Sequence, residues 1–277
     1  PRRSGVSIEY ECVSCSYRFA SNEAAYTCPR CATKSTELSA LGGSRPTGFR
    51  RGNLVVVQAA NAKSEIGARA DPLAMLPLPI TLTASFPVGN TPLIGPERLR
   101  SRCGLKNLFF KNDSLNPSGS LKDRASLLVA EQALANRQDT VVLASTGNAG
   151  SAMACAGAAA GLRVVLFVPE TAPKAKLVQS LLYGACVVPV KGTYDDAFAL
   201  SIDYTRKFGG INRNTAYNPL TVEGKKTVSI EIYNQLGFRA PDLVYVPAGD
   251  GVIFAGVYKG FSDLMTAGYI DRIPSLV

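Results

Sequence analysis

Histidine is absent from this 277-residue sequence, and no long apolar run occurs in it. Without histidine the chain cannot form Ser-His or Cys-His nucleophile pairs or histidine metal sites, so acid–base chemistry must fall to Lys, Asp, Glu, Tyr, Cys or a cofactor. No apolar run approaches the roughly 18 residues of a membrane span, and the N-terminal segment PRRSGVSIEYEC lacks the apolar core of a signal peptide. The sequence therefore predicts a cytoplasmic protein without membrane contact.

Charged residues are also scarce, at 18% of the chain, whereas apolar residues make up 46%. This composition argues against disorder and supplies enough apolar surface for two domains and a small additional module. The formal charge of +9, from 30 basic and 21 acidic residues, favours an anionic partner. Nucleic acid is one such partner, although charge alone gives it little support.

The seven cysteines divide into a cluster of four and three isolated positions. Two CxxC motifs, ECVSC and CPRC, have a spacing typical of four thiolates around one Zn²⁺. The predicted ligands are Cys12, Cys15, Cys28 and Cys31. A pair of disulfides is the alternative, but each CxxC pair is too close in sequence for an unstrained bridge. A fully thiolate-ligated zinc has no open position for substrate, so we predict a structural role for it.

Cys103, Cys155 and Cys186 are isolated and are interpreted as small apolar fillers. Residues 1–40 are predicted to form a zinc ribbon, which is too small to fold by apolar burial without its metal. Residues 41–80 are rich in Gly, Pro and Arg and are interpreted as a connection that wraps around the next domain.

From residue 107 onward, apolar runs that favour strands alternate with segments that favour helices. The strand candidates are NLFFK, TVVLAS, VVLFVP, VVPV and DLVYVPAG. Helices are predicted from about residue 122, over 148–160, in KAKLVQSLLYG and in YDDAFALSIDYTRKF. Alternation with short links indicates βαβ units, and therefore a parallel sheet covered by helices on both faces.

Polar or glycine-rich loops occur where ligands gather in such folds, at the carboxyl ends of strands. STGNAGSA (145–152) follows one strand and PAGDGVIFAG (247–256) follows another. Taken singly, each loop is better explained as an ordinary strand-to-helix turn, and neither matches a dinucleotide or P-loop motif. The stretch NPSGSLKDR (116–124) adds a lysine at a predicted helix start, where the helix dipole disfavours a cation.

These three motifs, in this order, resemble the signatures of fold-type II pyridoxal-phosphate enzymes, in particular threonine synthase and threonine-synthase-like enzymes. The similarity includes VGNTPL (88–93), GTYDDAF (192–198) and NRNTAYNPLTVEGKKT (212–227), and spans about residues 86 to 277. A zinc ribbon also precedes some members. The resemblance implies two parallel-sheet α/β domains, similar to the tryptophan synthase β chain, and a homodimer.

The domain boundaries that follow from the resemblance place the ribbon at 1–40 and a small mobile domain at 106–193. The large cofactor-binding domain would comprise 41–105 and 194–277. Relatives continue for roughly another hundred residues after the position of IDRIPSLV, including the Ser or Thr that contacts the pyridine nitrogen. The remaining C-terminal part of the large domain is therefore expected to be missing from this sequence.

The resemblance also assigns roles to individual residues. Lys122 would hold pyridoxal 5′-phosphate covalently and then act as the base at the substrate α-carbon, and Asn148 would hydrogen-bond the pyridine 3′-oxygen. The substrate carboxylate would be held by Ser145, Thr146, Ala149 and Gly150. The cofactor phosphate would be held by backbone N–H groups of Ala248, Gly249, Asp250, Gly251 and Val252. Supporting residues that line the site would be Glu223, Lys225 and Thr227.

The implied activity is that of a pyridoxal-phosphate-dependent lyase of threonine-synthase type in amino-acid biosynthesis. It would convert O-phosphohomoserine and water into threonine and phosphate by β,γ-replacement. This chemistry needs a second phosphate site, for which the candidate residues are Lys111, Arg213, Lys225 and Lys226. A solvated basic surface is the alternative interpretation of these four.

Two other functions remain open at this point. The first is β-replacement or β-elimination on serine, O-phosphoserine or a related amino acid, as in cysteate synthases and dehydratases. The second is a nucleic-acid-binding ribbon on an inactive scaffold, which would bind DNA or RNA with a steep salt dependence. The cofactor hypothesis explains the missing histidine best, because the cofactor supplies the electron sink and a lysine amine moves the protons. We therefore expect both the helix start and burial to lower the pKa of Lys122.

Overall fold

The computed structural model describes residues 6–32, 52–57 and 69–277. Its strands are β1 (Ile8–Cys12), β2 (Arg18–Ser21), β3 (Leu54–Val56), β4 (Leu93–Ile94), β5 (Phe110–Lys111), β6 (Thr140–Ala144), β7 (Arg163–Pro169), β8 (Cys186–Val190), β9 (Ile211–Asn212), β10 (Leu243–Val244) and β11 (Ser275–Leu276). Its α-helices are α1 (Glu97–Cys103), α2 (Lys122–Ala135), α3 (Asn148–Ala160), α4 (Lys174–Leu182), α5 (Tyr194–Phe208), α6 (Leu220–Gln235) and α7 (Val252–Thr266). Short 3-10 helices span Leu82–Ala84 and Asp113–Leu115. A search of the described helices finds none with the length and apolarity of a membrane span.

A four-stranded parallel sheet with the order β8-β7-β6-β9 organises the body of the protein. The predicted α/β class and parallel sheet are thereby confirmed. One face of β6 and β7 packs in the same apolar cluster as α2 and α3, and the other face packs with α5. Because helices cover both faces, these strands are continuous apolar runs without alternation.

The predicted helices between residues 148 and 208 are confirmed almost to the residue. α3 and α5 have the predicted bounds, and α4 ends two residues earlier than its predicted segment. α5 begins sharply because Thr193 and Asp196 form a reciprocal capping box, in which each side chain accepts the backbone N–H of the other residue.

Two predicted strands differ from the structure. NLFFK contributes only β5, which pairs antiparallel with β4 and lies outside the parallel sheet. DLVYVPAG contributes only β10, which pairs with β11. Both segments carry exposed aromatic side chains, Phe110 at 47% and Tyr245 at 73% exposure. An apolar run on the surface has the same sequence pattern as a buried strand, which is why the prediction was wrong there.

The N-terminal module is an antiparallel sheet with the order β2-β1-β3. Ile8, Tyr10 and Cys12 point inward along β1 and join the same apolar cluster as helix α2. β3 lies in the segment interpreted from sequence as a connection, so the ribbon sheet extends beyond the predicted boundary at residue 40. β9 likewise joins the sheet of the predicted small domain although it follows residue 193. The domain boundaries themselves stay a prediction.

Helix α6 lies between α2 and α7, and glycines bring the three backbones together. A Cβ atom on Gly224 of α6 would collide with Arg124 O and lie 2.8 Å from Ala125 Cα of α2. On the other side, a Cβ atom on Gly260 of α7 would lie 2.7 Å from Cβ of Ser229. Since real Cβ atoms do not approach this closely, any larger residue at Gly224 would force α2 and α6 apart.

Candidate active site

Lys122 is the first residue of α2, and the predicted loop-to-helix junction is confirmed. Ser118 donates its backbone N–H at 2.8 Å and its hydroxyl at 2.6 Å to the carboxylate of Asp123. Gly119, with φ of +85°, permits the turn. The hydroxyl of Ser120 accepts the backbone N–H of Lys122 at 3.3 Å. The motif NPSGSLKDR is therefore a closed turn that fixes the backbone of Lys122.

The pKa of the Lys122 amine is lowered from its ordinary value of 10.5, mainly by burial. The carboxylate of Asp250 opposes this shift, and the charge of Arg213 adds to it. The direction agrees with the sequence-based expectation. These two charges belong to the glycine turn before α7 and to the segment after β9, which therefore lie within electrostatic range of this amine.

Arg213 is buried, and its backbone is held by neighbouring asparagines. The side chain of Asn214 accepts the N–H of Ala144 at 2.7 Å and donates to the hydroxyl of Ser201 at 2.7 Å. The guanidinium group has only long contacts to Ser126 Oγ, at 3.4 and 3.5 Å, within the described residues. Burial lowers the pKa of Arg213 from 12.5 to about 10, so the group remains a cation at neutral pH.

Lys225, on α6, is a second buried basic residue at this place. Its side-chain nitrogen is buried and has no hydrogen-bond partner within residues 6–32, 52–57 and 69–277. Burial lowers the pKa of Lys225 well below 10.5, and the charges of Arg213 and Lys122 lower it further. Among the described residues, no ion pair includes any of these three basic side chains. A cluster of basic groups with little access to water is costly in its charged form, and it favours the binding of an anion.

Tyr194 also belongs to this cluster, although the sequence analysis gave it no role. Burial raises the pKa of its hydroxyl, as does the charge of Asp250, while Arg213 acts in the opposite direction. The hydroxyl donates to Ala144 O at 3.3 Å. The sequence feature that could have indicated Tyr194 is its position directly after the Gly-Thr turn that follows β8.

The loop STGNAGSA joins β6 to α3. The hydroxyl of Ser145 accepts the N–H groups of Gly147 and Gly150 at 3.2 and 3.1 Å, so it shapes the loop from within. Gly150 packs against β7, where its Cβ would lie 3.1 Å from a Leu166 methyl group. Asn148, the first residue of α3, is exposed. The carboxylate-binding role of this loop stays a prediction, and the N–H of Gly150 already has an acceptor.

Thr146 and Ala149, the other predicted carboxylate ligands, are half-buried in the STGNAGSA loop.

The predicted phosphate-binding turn, residues 248–252, lies at the start of α7. Gly251 has φ of +77° and ends the turn, and a Cβ atom on Gly249 or Gly251 would meet nothing within 4 Å. This open space lies at a helix N-terminus, where backbone N–H groups and the helix dipole favour an anion. The Asp250 carboxylate accepts the N–H of Val252 at 3.1 Å, so this predicted phosphate-binding N–H already has an acceptor.

The observed side chains fit a bound pyridoxal phosphate. The cofactor needs an amine for its aldehyde and hydrogen-bond donors for its phosphate. Lys122 supplies a half-buried amine of lowered pKa, and the turn around Gly249 and Gly251 supplies an open cradle at the start of α7. These groups lie near one another, because Asp250 of the turn acts on the pKa of Lys122.

Two of the four residues suggested for a second phosphate site are paired with carboxylates instead. Lys111 donates to Glu231 at 2.6 Å. Lys226 donates to Glu223 at 2.5 Å and to Asp263 at 2.8 Å. Both amines already have carboxylate partners, and a phosphate-binding role for these two residues stays a prediction. Arg213 and Lys225 remain as candidates.

Residues flanking the site form a buried ionic network, which we call the Arg124 network. Arg124 donates to Asp113 at 2.7 Å and to Glu231 at 2.6 Å. It also donates to Thr227 Oγ1 at 3.0 Å, and Thr91, in the VGNTPL motif, donates to Asp113 at 2.6 Å. Thr227 thus supports the site through Arg124. The network ties α2, α6, the segment directly before β4 and the Asp113 turn together, and Arg124 lies two residues from Lys122.

The four cysteines of the two CxxC motifs converge in the ribbon. Their Sγ atoms lie within 4.8 Å of one another, with 3.8 Å between Cys12 and Cys31 and 3.7 Å between Cys15 and Cys28. Four sulfurs at the Zn–S distance of about 2.3 Å in a tetrahedron are separated by about 3.8 Å. The geometry therefore fits the predicted structural Zn²⁺, and all four cysteines are free of disulfides.

We expect the ribbon to lose its structure when this metal is removed, because so small a sheet depends on metal binding for its folding free energy. Elemental analysis of the purified chain should find about one zinc per molecule. Cys28→Ser should lose most of it, whereas Cys103→Ser, which alters an exposed isolated cysteine, should keep it. Equal zinc content in all three proteins would contradict the assignment.

Comparison with known proteins gives an independent view of the site. Residues 84–273 match the pyridoxal-phosphate-dependent enzyme family. The chain is 31% identical over 279 residues to threonine synthase of Methanosarcina acetivorans, an alignment that covers 96% of this chain and 63% of that protein. It is 35% identical over 189 residues to threonine synthase of Methanocaldococcus jannaschii, covering 68% of this chain and 46% of the relative. The chain thus spans about half to two thirds of these curated relatives.

Solved structures with the same fold include two threonine deaminases. The threonine deaminase from T.th. has a TM-score of 0.57 and 27% identity, covering 68% of this chain and 62% of that one. Threonine deaminase isoform 2 of Solanum lycopersicum has a TM-score of 0.58 and 20% identity, covering 90% and 62%.

Proposed function

The chain belongs to the pyridoxal-phosphate-dependent enzyme family and has its fold-type II architecture, and we propose that it is a lyase of threonine-synthase type. In this proposal, O-phosphohomoserine and water are converted into threonine and inorganic phosphate by β,γ-replacement. The proposal is supported by the threonine synthases among the relatives and, within the site, by one observation in particular.

The observation that carries the proposal is the pair of buried basic residues, Arg213 and Lys225, beside Lys122. Removing such groups from water costs several kcal/mol each unless an opposite charge compensates them. The cofactor phosphate already has a separate candidate cradle at the start of α7. Asp250 acts electrostatically on both groups but forms no ion pair with either among the described residues, so the Arg213–Lys225 pair can accept a second anion. We assign that place to the phosphate of the substrate. A neutral hydroxyl on serine or threonine would leave both groups unpaired.

Each group of the chain has a task in this reaction. Bound pyridoxal phosphate supplies the electron sink that stabilises negative charge at the substrate α-carbon. Lys122 binds the cofactor and moves the proton at that carbon, which requires a neutral amine, and burial favours the neutral form by lowering the pKa. Asn148 would hydrogen-bond the cofactor, and the loop from Ser145 to Gly150 would hold the substrate carboxylate. Arg213 and Lys225 hold the phosphate and stabilise its charge as it leaves.

Product analysis of the holoenzyme distinguishes this function from its alternatives. The protein would be incubated separately with O-phosphohomoserine, O-phosphoserine, serine and threonine, and phosphate, amino acids, ammonia and 2-oxo acids would be measured. Phosphate and threonine in equal amounts from O-phosphohomoserine are the expected result. Ammonia and a 2-oxo acid from serine or threonine, without use of O-phosphohomoserine, would assign the β-elimination alternative instead.

Lys225→Met is expected to weaken substrate binding and to stabilise the fold at once. Loss of a charged hydrogen bond to the phosphate should raise KM for O-phosphohomoserine roughly 10- to 100-fold. Removal of an unsatisfied buried amine should raise the unfolding free energy by roughly 1–3 kcal/mol at neutral pH. KM and urea unfolding check the two effects. The exposed Lys106→Met is the matched control and should change neither.

If Lys225→Met is more stable but has an unchanged KM, the residue is a buried structural lysine and does not bind the substrate phosphate. The proposal for the second anion would then be wrong.

A further inference from the structure

The ribbon contacts the body of the protein at Asn212, the residue directly before Arg213. Tyr26 lies between the two CxxC motifs, and its hydroxyl accepts the backbone N–H of Asn212 at 2.9 Å. β9 is the edge strand of the parallel sheet, so this N–H has no neighbouring strand. The tyrosine hydroxyl supplies the acceptor that a carbonyl of a neighbouring strand would supply inside a sheet. A ribbon side chain therefore completes the hydrogen bonding of the residue directly before Arg213.

The ring of Tyr26 makes a second contact with the same segment. It stacks on the ring of Tyr217, with 4.8 Å between centroids and 7° between planes. Tyr26 thereby touches residues 212 and 217, on both sides of Arg213. A stacked aromatic pair adds about 0.5–1.5 kcal/mol beyond its buried area.

From Asn212 the hydrogen bonds continue into the candidate active site. The side chain of Asn212 accepts the N–H of Asn214 at 2.9 Å, and Asn214 in turn holds Ala144, the residue before Ser145. The carbonyl of Asn212 accepts from Asn218 at 2.9 Å. The segment 212–218 is therefore a set of interlocked asparagines, with its outer end closed by Tyr26.

The guanidinium group of Arg213 depends on this backbone for its orientation. It has no ion pair within the described ranges, and its contacts to Ser126 are long. A side chain without strong partners is positioned chiefly by its own main chain and by packing. If residues 212–214 became more mobile, the guanidinium group would therefore sample a wider range of positions.

We propose that Tyr26 is a positioning residue through which the zinc ribbon holds Arg213 in place for anion binding. The ribbon then contributes to both the fold and the site, because its apolar residues join the core cluster of the body and its tyrosine fixes the segment 212–218. The identity of the anion rests on the proposed function, whereas the mechanical link between Tyr26 and the segment 212–218 does not.

Two substitutions test the link in the holoenzyme. Tyr26→Phe removes the acceptor of the Asn212 N–H and keeps the stacked ring, and Tyr26→Ala removes both. Tyr17→Phe is the matched control, because Tyr17 is a ribbon tyrosine that stacks on Phe19 at 5.8 Å. Zinc content is measured in each variant to verify that the ribbon is intact.

Hydrogen exchange and phosphate affinity are the readouts. In Tyr26→Phe, amide exchange in the peptide spanning 211–218 should rise roughly three- to tenfold, and inorganic phosphate should bind the holoenzyme weaker by a similar factor. Tyr26→Ala should show larger changes of both. With the true substrate, KM should rise while kcat changes less. Tyr17→Phe should match the wild type throughout.

Unchanged exchange of 211–218 in Tyr26→Phe with zinc retained would overturn the proposal. Faster exchange with unchanged phosphate affinity would overturn it as well, because Arg213 would then not depend on the segment. If the wild type converts no phosphorylated amino acid, the proposed function fails separately, and the exchange and phosphate measurements still decide the role of Tyr26.

Discussion

Lys122→Ala is expected to abolish turnover, with kcat at least about 10³-fold below the wild type, because the variant lacks the amine that binds the cofactor and moves the proton. Reduction of the wild-type holoenzyme with borohydride should attach the cofactor to the peptide that contains Lys122. Mass spectrometry of the variant should find no such adduct. The loss should not come from unfolding, because the side chain is only half-buried and has no ion-pair partner among the described residues.

Two further variants make this test specific. Lys122→Arg keeps a cation at the helix start but cannot supply a neutral amine, so it should be as inactive as Lys122→Ala. Lys174→Ala changes another lysine at the first position of a helix, α4, where the side chain is exposed, and should retain full activity. Full activity in Lys122→Ala, together with a borohydride adduct elsewhere on the chain, would disprove the assignment.

Glu231→Ala is expected to lower the unfolding free energy by roughly 3–5 kcal/mol, because it leaves Arg124 and Lys111 buried without their shared carboxylate. Urea unfolding followed by circular dichroism measures this. The matched control is Asp203→Ala, which breaks the exposed pair with Arg206 at 3.7 Å and should cost less than about 1 kcal/mol. A loss in Glu231→Ala as small as in the control would show that the Arg124 network is not important for stability.

The Arg124 network should also limit stability in acid. Burial acts to raise the pKa of Asp113 and Glu231, but the hydrogen bonds and charge of Arg124 outweigh it and lower both. Groups with a lowered pKa stabilise the fold fully above their unfolded values of 3.8 and 4.5. That contribution is lost as the pH falls through the folded values.

The sequence predicted the part of the fold that depends on local pattern. β6, β7, α3 and α5 were found because apolar runs that favour strands and segments that favour helices are visible within a few residues. β9 was missed, since a two-residue strand has no periodicity and depends on the asparagine contacts of 212–218. The start of α2 was predicted, but its buried faces were not, because the helix is buried on nearly all sides and its polar residues have distant partners.

In the candidate site too, the features carried by local sequence could be predicted, whereas those that depend on distant residues could not. Motif similarity predicted Lys122, the STGN loop and the glycine turn as site residues, and Asp250 of that turn lies within electrostatic range of Lys122. The distinction between Lys111, which is paired, and Lys225, which is not, required the three-dimensional positions of carboxylates far away in sequence. Tyr26 could not be found from sequence for the same reason, since its partners follow it by more than 180 residues.

The close crossing of α2 and α6 at Gly224 limits which elements could move when the protein closes over a substrate. Backbones in direct contact, joined further by Arg124 and Glu231, cannot slide without breaking buried ion pairs. We therefore expect α2 to move with α6 in any closing motion, and Lys122 to remain stationary relative to Lys225. Closure over a substrate would then be carried by β6–β8 and α3–α5, bringing the STGN loop toward a fixed amine.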